Sequence, residues 1–355
     1  MAAPRLEIDL NKIHHNTQTL VQRLASEGIS VTGVTKASLG SAPIAHTLLQ
    51  AGVCGLGDSR IENIESMRRA NITAHMSLIR APMLSQAKRV VQAADLSFNS
   101  ELDIIKQLSY YAHELKRVHS IVLMLELGDL REGIMPEELL ETVESILVLP
   151  NIELKGIGTN LACRCGVSPD TRNMAQLSEL ASQIETKFKL NLAIISGGNS
   201  ANLPWILNQA NHTRVNNLRL GESILLGREP LQRHPIEGLY TDAITLIAEV
   251  IESKIKPSVA TGVIAQSAFG AVPAQIDQGP KAQSILAIGI QDIDPAGLTA
   301  TQNQQILAAS SDHLIIHTQQ CLTIGSEMKF QLNYSALLRA MTSPFVNKTY
   351  FPITN

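Results

Sequence analysis

One lysine stands where an amine could act as a nucleophile. Lys36 follows the apolar run Val31 to Thr35 and precedes Ala37, Ser38, Leu39 and Gly40. At the inner end of an apolar strand a lysine cannot easily reach water, and lost hydration lowers its pKa toward the range where the neutral amine is populated. The alternative is an ordinary strand-end lysine at the surface. A second stretch, Ile195-Ser196-Gly197-Gly198-Asn199-Ser200-Ala201-Asn202-Leu203, has two glycines for close backbone approach and hydroxyl and amide groups that can donate. A helix pattern begins directly after it, so the turn is suited to holding a phosphate through N–H groups and the positive end of the helix. A plain structural turn would read much the same. Leu218-Arg219-Leu220-Gly221-Glu222-Ser223 has comparable composition.

These residues need elements to position them, and the chain offers eight short apolar runs. They are Val31 to Thr35, Val53 to Gly57, Met76 to Arg80, Leu96 to Asn99, Ser120 to Glu126, Leu154 to Thr159, Ala193 to Gly197 and Leu218 to Leu226. Helix-length intervals separate them, which fits an α/β chain folded as a parallel (β/α)8 barrel. Such barrels gather reactive groups at the C-terminal ends of their strands and often bind phosphate in the loops after strands seven and eight. Lys36 and the two glycine-containing turns fall at those places. Among the helix patterns, residues 11–27 put Ile13, Leu20, Val21 and Leu24 on one stripe and stop at Gly28, and Ser59 with Glu62 forms a candidate capping box.

After Pro235 the pattern changes to alternation of apolar and polar positions, as in Ile244 to Ile251, Ser284 to Ile290, Ile306 to Ile316 and Met328 to Leu332. This predicts a C-terminal, mostly antiparallel β domain. The expected division is a barrel over 1–235 and a β domain over 236–355, with the stretch 5–10 able to pack with the β domain.

Length and composition agree with that plan. The chain has 355 residues, enough for a large barrel and an accessory module, and with 45% hydrophobic and 17% charged residues it reads as compact. Aromatics are only 3% and the net charge is -3, which leaves neither stacking platforms nor a basic footprint for nucleic acid. The expected partner is a small molecule. The first residues lack a signal-peptide core and no apolar run has membrane-span length, so no membrane association and a cytoplasmic location are expected. Four cysteines, Cys54, Cys163, Cys165 and Cys321, are too few for a disulfide framework. The single C-x-C of Cys163 and Cys165 is a poor zinc signal, so no metal is expected and the thiols are read as reduced.

A strand-one lysine combined with a phosphate cradle after strands seven and eight suggests a pyridoxal phosphate enzyme, in which the lysine holds the aldehyde as a Schiff base. The chain resembles the fold type III enzymes of that class, the alanine racemase superfamily, and most closely its alanine/ornithine racemase-like branch. The resemblance is carried by Val34-Thr35-Lys36-Ala37, Gly57-Asp58-Ser59-Arg60, Leu127 to Ile134, Gly156 to Leu161, Ser196-Gly197-Gly198-Asn199-Ser200, Leu218 to Glu222, Gly289-Ile290-Gln291-Asp292 and Ser310-Ser311-Asp312-His313. It covers nearly the whole chain.

The resemblance implies that Lys36 holds pyridoxal 5'-phosphate and exchanges a proton on one face of the substrate Cα. It implies that Arg131 approaches the cofactor's phenolic oxygen and that Arg219 faces its pyridine nitrogen. A guanidinium only donates hydrogen bonds, so that nitrogen would stay unprotonated. A solvated charge for Arg131 and a strand-end salt bridge for Arg219 are the bland alternatives. Ser196, Gly198, Asn199, Ser200, Gly221 and Glu222 become phosphate-cradle candidates, Glu222 through its main-chain N–H alone. Asn160 stands where related racemases often carry a histidine stacked on the ring.

Racemisation needs acid/base groups on both faces of the planar carbanion. Alanine racemases use a tyrosine in a Gly-Tyr motif of the partner subunit's β domain, and the corresponding stretch here, Gly289 to Asp292, contains no tyrosine. Asp292, Asp312 and His313 are the candidates, with turn formation or strand hydrogen bonding as their alternatives. The implied function is amino-acid racemisation, with ornithine or another basic amino acid favoured over alanine, in a homodimer with shared active sites. The competing readings are a lyase acting on a 3-hydroxy amino acid and a non-catalytic pyridoxal phosphate carrier.

Overall fold

A computed structural model of the chain describes residues 2–208, 213–267, 269–270, 276–300 and 304–352. The chain divides into two compact units, the first Lys12–Thr241 and the second Met1–Asn11 with Asp242–Asn355.

The chain opens with β1 (Arg5–Asp9) and α1 (Leu10–Ala25). The strands that follow in the first unit are β2 (Ser30–Val34), β3 (Gly55–Asp58), β4 (Met76–Leu78), β5 (Leu96–Asn99), β6 (His119–Leu125), β7 (Ile152–Thr159), β8 (Ile194–Ser196) and β9 (Asn217–Leu220). They form a closed parallel barrel in sequence order, with β2 pairing both β3 and β9. Each of the eight apolar runs of the sequence contributes one barrel strand. The helices between and after them are α2 (Ala42–Gln50), α3 (Ile61–Arg69), α4 (Ala87–Ala93), α5 (Leu102–Glu114), α6 (Leu139–Leu147), α7 (Thr171–Phe188), α8 (Leu203–Asn208) and α9 (Glu222–Leu226).

Strands covered by helices on one side and barrel core on the other are buried on both faces, which is why they read as continuous apolar runs. Every residue of β3, β5 and β9 is buried. Inside the barrel, Leu96, Phe98, Val122 and Met124 form one packed cluster. The stripe on α1 is a core face: Ile13, Leu20 and Leu24 are fully buried, and the chain leaves the helix through Gly28 at φ +72.

Two local expectations fail. The capping box of Ser59 and Glu62 is absent, because α3 starts at Ile61 with Arg60 at its N-cap and no side-chain cap bond. The buried Asp58 carboxylate takes the Arg60 N–H instead, at 2.9 Å, and Glu62 accepts from Gln86 and Arg89. The run Leu218 to Leu226 is also not one strand. It breaks at Gly221, whose φ of -138 and ψ of -64 turn the chain from β9 into α9.

Among the described residues the second unit is a sheet with one α-helix. Its strands are β10 (Ile244–Lys256), β11 (Lys281–Leu286), β12 (Leu298–Ala300), β13 (Gln305–Ala309), β14 (Leu314–Thr318) and β15 (Glu327–Leu332), followed by α10 (Tyr334–Thr342) and β16 (Asn347–Phe351). The sheet order is β12-β15-β10-β11-β14-β13, while β1 pairs antiparallel with β10 and parallel with β16. The expected single run Ile306 to Ile316 is a hairpin, turned by Ser310 to His313, where Ser310 N donates to the His313 carbonyl at 2.8 Å. The helix α10 interrupts the alternation. Its buried residues Ala336, Leu337, Ala340 and Met341 recur at helical spacing behind an Asn333 cap.

Candidate active site

Lys36 opens a one-turn 3-10 helix, Lys36–Ser38, directly after β2. The turn is tied to the neighbouring strand by Thr35 N, which donates to the Gly57 carbonyl at 2.9 Å. Burial lowers the Lys36 pKa below the ordinary lysine value, and the nearby charges of Arg131 and Arg219 act in the same direction. Cys163 and Asp58 oppose them. The amine therefore sits among two guanidiniums, a thiol and a carboxylate within the barrel unit.

Arg219 projects from β9 and is 5% exposed. Its Nη1 donates to Ser196 Oγ, its Nη2 donates to the Thr159 carbonyl at 3.0 Å and reaches Asn160 Oδ1 at 3.5 Å, and the guanidinium lies 4.6 Å from the centroid of the Phe98 ring. These partners are neutral. The strand-end salt bridge considered for this arginine is not formed among the described residues. Burial lowers its pKa to about 10, helped by the charge of Arg131.

The glycine-containing turns meet as their composition suggested. Ser200 Oγ lies 2.9 Å from Ser223 Oγ and also accepts from Ser223 N at 3.3 Å. Asn199 folds back on its own turn, accepting from Ala201 N at 2.7 Å while its amide donates to the Leu161 carbonyl at 2.9 Å and to Asn160 Oδ1 at 3.2 Å. Gly198 has φ +106, and a Cβ there would lie 3.3 Å from the Thr159 carbonyl oxygen. An L side chain would be strained at that position. Gly221 packs on Val34 at the end of β2, which puts the β9 turn beside the lysine's strand. Glu222 follows it and pairs through its carboxylate with Arg233; burial raises its pKa, while Arg233 and then Lys36 oppose the shift.

Arg131 sits on a loop shaped by two carboxylates that sequence reasoning did not single out. Glu126 accepts from the backbone N–H groups of Gly128, Leu130 and Arg131 at 2.6, 2.9 and 3.2 Å. Asp129, fully buried, accepts from the N–H groups of Cys163, Arg164, Cys165 and Val167 at 3.0, 2.8, 3.2 and 3.4 Å. Burial would raise the pKa of Asp129, but these four bonds outweigh it and hold the carboxyl below its ordinary value. The loop after β7 is thereby fastened to the loop after β6. Arg131 then meets Cys163 Sγ through Nη1 at 2.7 Å and pairs with Glu132 through Nε and Nη2. Burial works to lower its pKa and Glu132 more than reverses that. Arg131 is thus an exposed cation, as the solvated-charge alternative has it, but one held by Glu132 and Cys163. Cys163, read from sequence only as a reduced thiol, belongs to this cluster.

The second-face candidates lie in the other unit. Ile290 N donates to the Ser310 carbonyl at 2.9 Å, Gln291 N to the Ser311 carbonyl at 3.1 Å, and the Gln291 amide to Asp312 at 2.7 Å, so their two segments meet. Asp292 accepts from Ser343 Oγ at 2.6 Å, and Ser310 Oγ lies 3.4 Å from His313 Nδ1. Asp312 and His313 are exposed, while Asp292 is half-buried.

The barrel residues fit the cofactor that the sequence resemblance implies. The amine is desolvated, the deep guanidinium has neutral partners, and Gly198, at φ +106, lets its turn pass close to the end of β7. Beside them Asn160 Nδ2 is a buried donor with no hydrogen-bond partner. Among the described residues no group of three or more His, Cys, Asp or Glu side chains is arranged to hold a metal ion, and no helix is long and apolar enough to cross a membrane.

Residues 8–229 match the family model described as alanine racemase, N-terminal domain. The chain is 39% identical to an ornithine racemase of Acetoanaerobium sticklandii over 97% of its own length and 99% of that protein. It is 37% identical to a lysine racemase of Thermotoga maritima over 99% of both. Its fold is similar to that of an alanine racemase from D-cycloserine-producing Streptomyces lavendulae, with a TM-score of 0.78 at 17% identity, covering 100% of this chain and 99% of that one.

Proposed function

The chain belongs to the alanine racemase family, and from that premise we propose that it interconverts the enantiomers of a basic amino acid, ornithine or lysine, with pyridoxal 5'-phosphate as cofactor. The observation that carries the reading is a desolvated Lys36 sharing one barrel site with an Arg219 whose partners are all neutral. When bound, the cofactor supplies an electron sink that acidifies the substrate Cα–H.

The chain's own residues then have separable tasks. Lys36 is the attachment point and, with its lowered proton affinity, a group able to take and return a proton at the substrate Cα. Arg219 would face the ring nitrogen as a donor only, which would keep that atom unprotonated and favour simple proton exchange over decarboxylation or transamination. Arg131 would supply positive charge toward the phenolic oxygen. Ser196, Gly198, Asn199, Ser200, Gly221 and Glu222 N–H would bound the phosphate end, and Asn160 would stand beside the ring. Of these, Ser196 already accepts from Arg219, so it serves by orienting that arginine as much as by touching a ligand.

Reprotonation on the opposite face falls to Asp292, Asp312 or His313, the first two of which also suit a substrate ammonium. The meeting of their two segments supports treating them as one candidate group. The homodimer with shared sites and the cytoplasmic location are part of the same proposal. Mixing a Lys36→Ala chain with an inactive second-base variant should regenerate about a quarter of the sites in a randomly reassorted dimer with shared sites. No regained activity after demonstrated subunit exchange would argue against shared sites. The lyase and carrier readings are less favoured, because the near-full-length relatives named above are both racemases. Incubation of ornithine and lysine enantiomers in deuterated water is the direct test, read by chiral chromatography and mass.

A further inference from the structure

Asp58 ends β3 as a fully buried carboxylate whose hydrogen-bond partners are neutral: Thr35 Oγ1 at 2.8 Å, Arg60 N at 2.9 Å and Asn63 Nδ2 at 3.0 Å. Burying an ionisable group among neutral partners is costly, so a carboxylate kept there has a use that a neutral cap would not serve. Burial raises its pKa, and the three contacts pull against that.

The contacts bear on the turn that carries Lys36. Thr35 immediately precedes the lysine, and its hydroxyl reaches both Asp58 and, at 3.3 Å, the Gly57 carbonyl. The turn closes on Thr35, whose carbonyl accepts from Ser38 Oγ at 2.9 Å and from Gly40 N at 3.3 Å. At its far end Gly40 has φ +66 and lies so close to α3 that a Cβ would come within 2.9 Å of the Asn63 carbonyl oxygen. Asn63 is the residue whose amide donates to Asp58. One carboxylate therefore holds the residue before Lys36 directly and also binds Asn63, on whose backbone the far end of the turn packs.

We propose that Asp58 is a positioning residue for Lys36, tying down the residue that precedes it and the start of the helix its turn packs on, and supplying a negative charge to the amine's surroundings. The inference rests on Lys36 being the cofactor-bearing lysine of the preceding subsection. The charged or titratable groups facing Lys36 are Cys163, Arg131, Asp58, Arg219 and Glu222. Of these, Asp58 alone is also hydrogen-bonded to the lysine's immediate neighbour.

The test uses the cofactor-loaded enzyme with D58N, T35V and T35S. Loss of the carboxylate removes a charge that favours protonated lysine, so in D58N the pH midpoint of the bound cofactor's visible band should fall by roughly half a unit or more. In D58N and T35V, kcat should fall about tenfold with KM within about twofold, the pattern of lost positioning rather than lost binding. T35S, which keeps the hydroxyl, should restore the wild-type values. If D58N does not fold, the contrast between T35V and T35S decides. An unchanged midpoint in D58N, or wild-type kcat in T35V, would overturn the inference. If the wild type racemises nothing, the proposed function falls, while the spectral midpoint still judges Asp58.

Discussion

The guanidinium of Arg219 lies over the Phe98 ring, 4.6 Å from its centroid, and donates to the Thr159 carbonyl at 3.0 Å, with no carboxylate among its partners. A cation held this way is fixed in direction but left electrostatically unbalanced, the condition under which it can govern the proton state of a ligand nitrogen.

Lysine cannot reproduce that fork. R219K would leave the Thr159 carbonyl or the Ser196 hydroxyl without its donor, and orphaning a buried polar group costs about 1–3 kcal/mol. We expect a urea midpoint lowered accordingly and kcat/KM reduced at least about tenfold. Wild-type stability and turnover in R219K would show that the arginine's geometry is not used.

Asp129 should be as intolerant, for a different reason. Its two carboxylate oxygens receive four backbone N–H groups, and in D129N one oxygen becomes an NH2 that faces donors. D129N should lose about 1–3 kcal/mol of stability and loosen the 161–167 loop, seen as faster proteolysis there. A silent substitution would mean that the loop needs no such anchor.

Acid sensitivity should trace partly to His119 at the start of β6. Burial lowers its pKa from 6.5 to about 4, with Arg117 acting likewise and Asp95 opposing. The unfolded chain binds a proton in that window that the folded chain does not. Stability is therefore full above pH 6.5 and lost as pH falls toward about 4, by up to about 3 kcal/mol. Thermal melts of H119Q should show a shallower decline between pH 7 and 5. Parallel declines would assign the acid sensitivity elsewhere.

Lys36 obeys the same sign at higher pH. Its folded-state pKa lies below the ordinary lysine value of 10.5, so folding is penalised at neutral pH, and stability rises as pH climbs from the lowered value toward 10.5. Cofactor-free K36M should melt higher than cofactor-free wild type at pH 7, with the gap narrowing in alkaline buffer. A K36M protein melting lower at pH 7 would contradict the desolvation argument.

The barrel was legible because strands buried on two faces leave unbroken apolar runs, and Lys36 and Arg219 because each sits within a few residues of its own strand end. Asp129 was not, since its partners lie 34 to 38 residues away and are backbone groups without sequence identity. Asp58 stands within Gly57-Asp58-Ser59-Arg60, but its contact with Thr35 depends on β2 and β3 lying side by side in register. The helix α10 was readable from Ala336, Leu337, Ala340 and Met341 and was obscured by the alternation just before it. The Ile306 to Ile316 run hid its turn because apolar residues on two paired strands look continuous along the chain.

The most direct measurement is the enantiomeric composition of ornithine and lysine after incubation with the cofactor-loaded enzyme in deuterated water. We predict that each enantiomer of at least one of them drifts to an equal mixture with deuterium at Cα, and that Lys36→Ala abolishes both changes together with the visible cofactor band. Cα exchange with complete retention, or no change in either amino acid, would contradict basic amino-acid racemisation by this site.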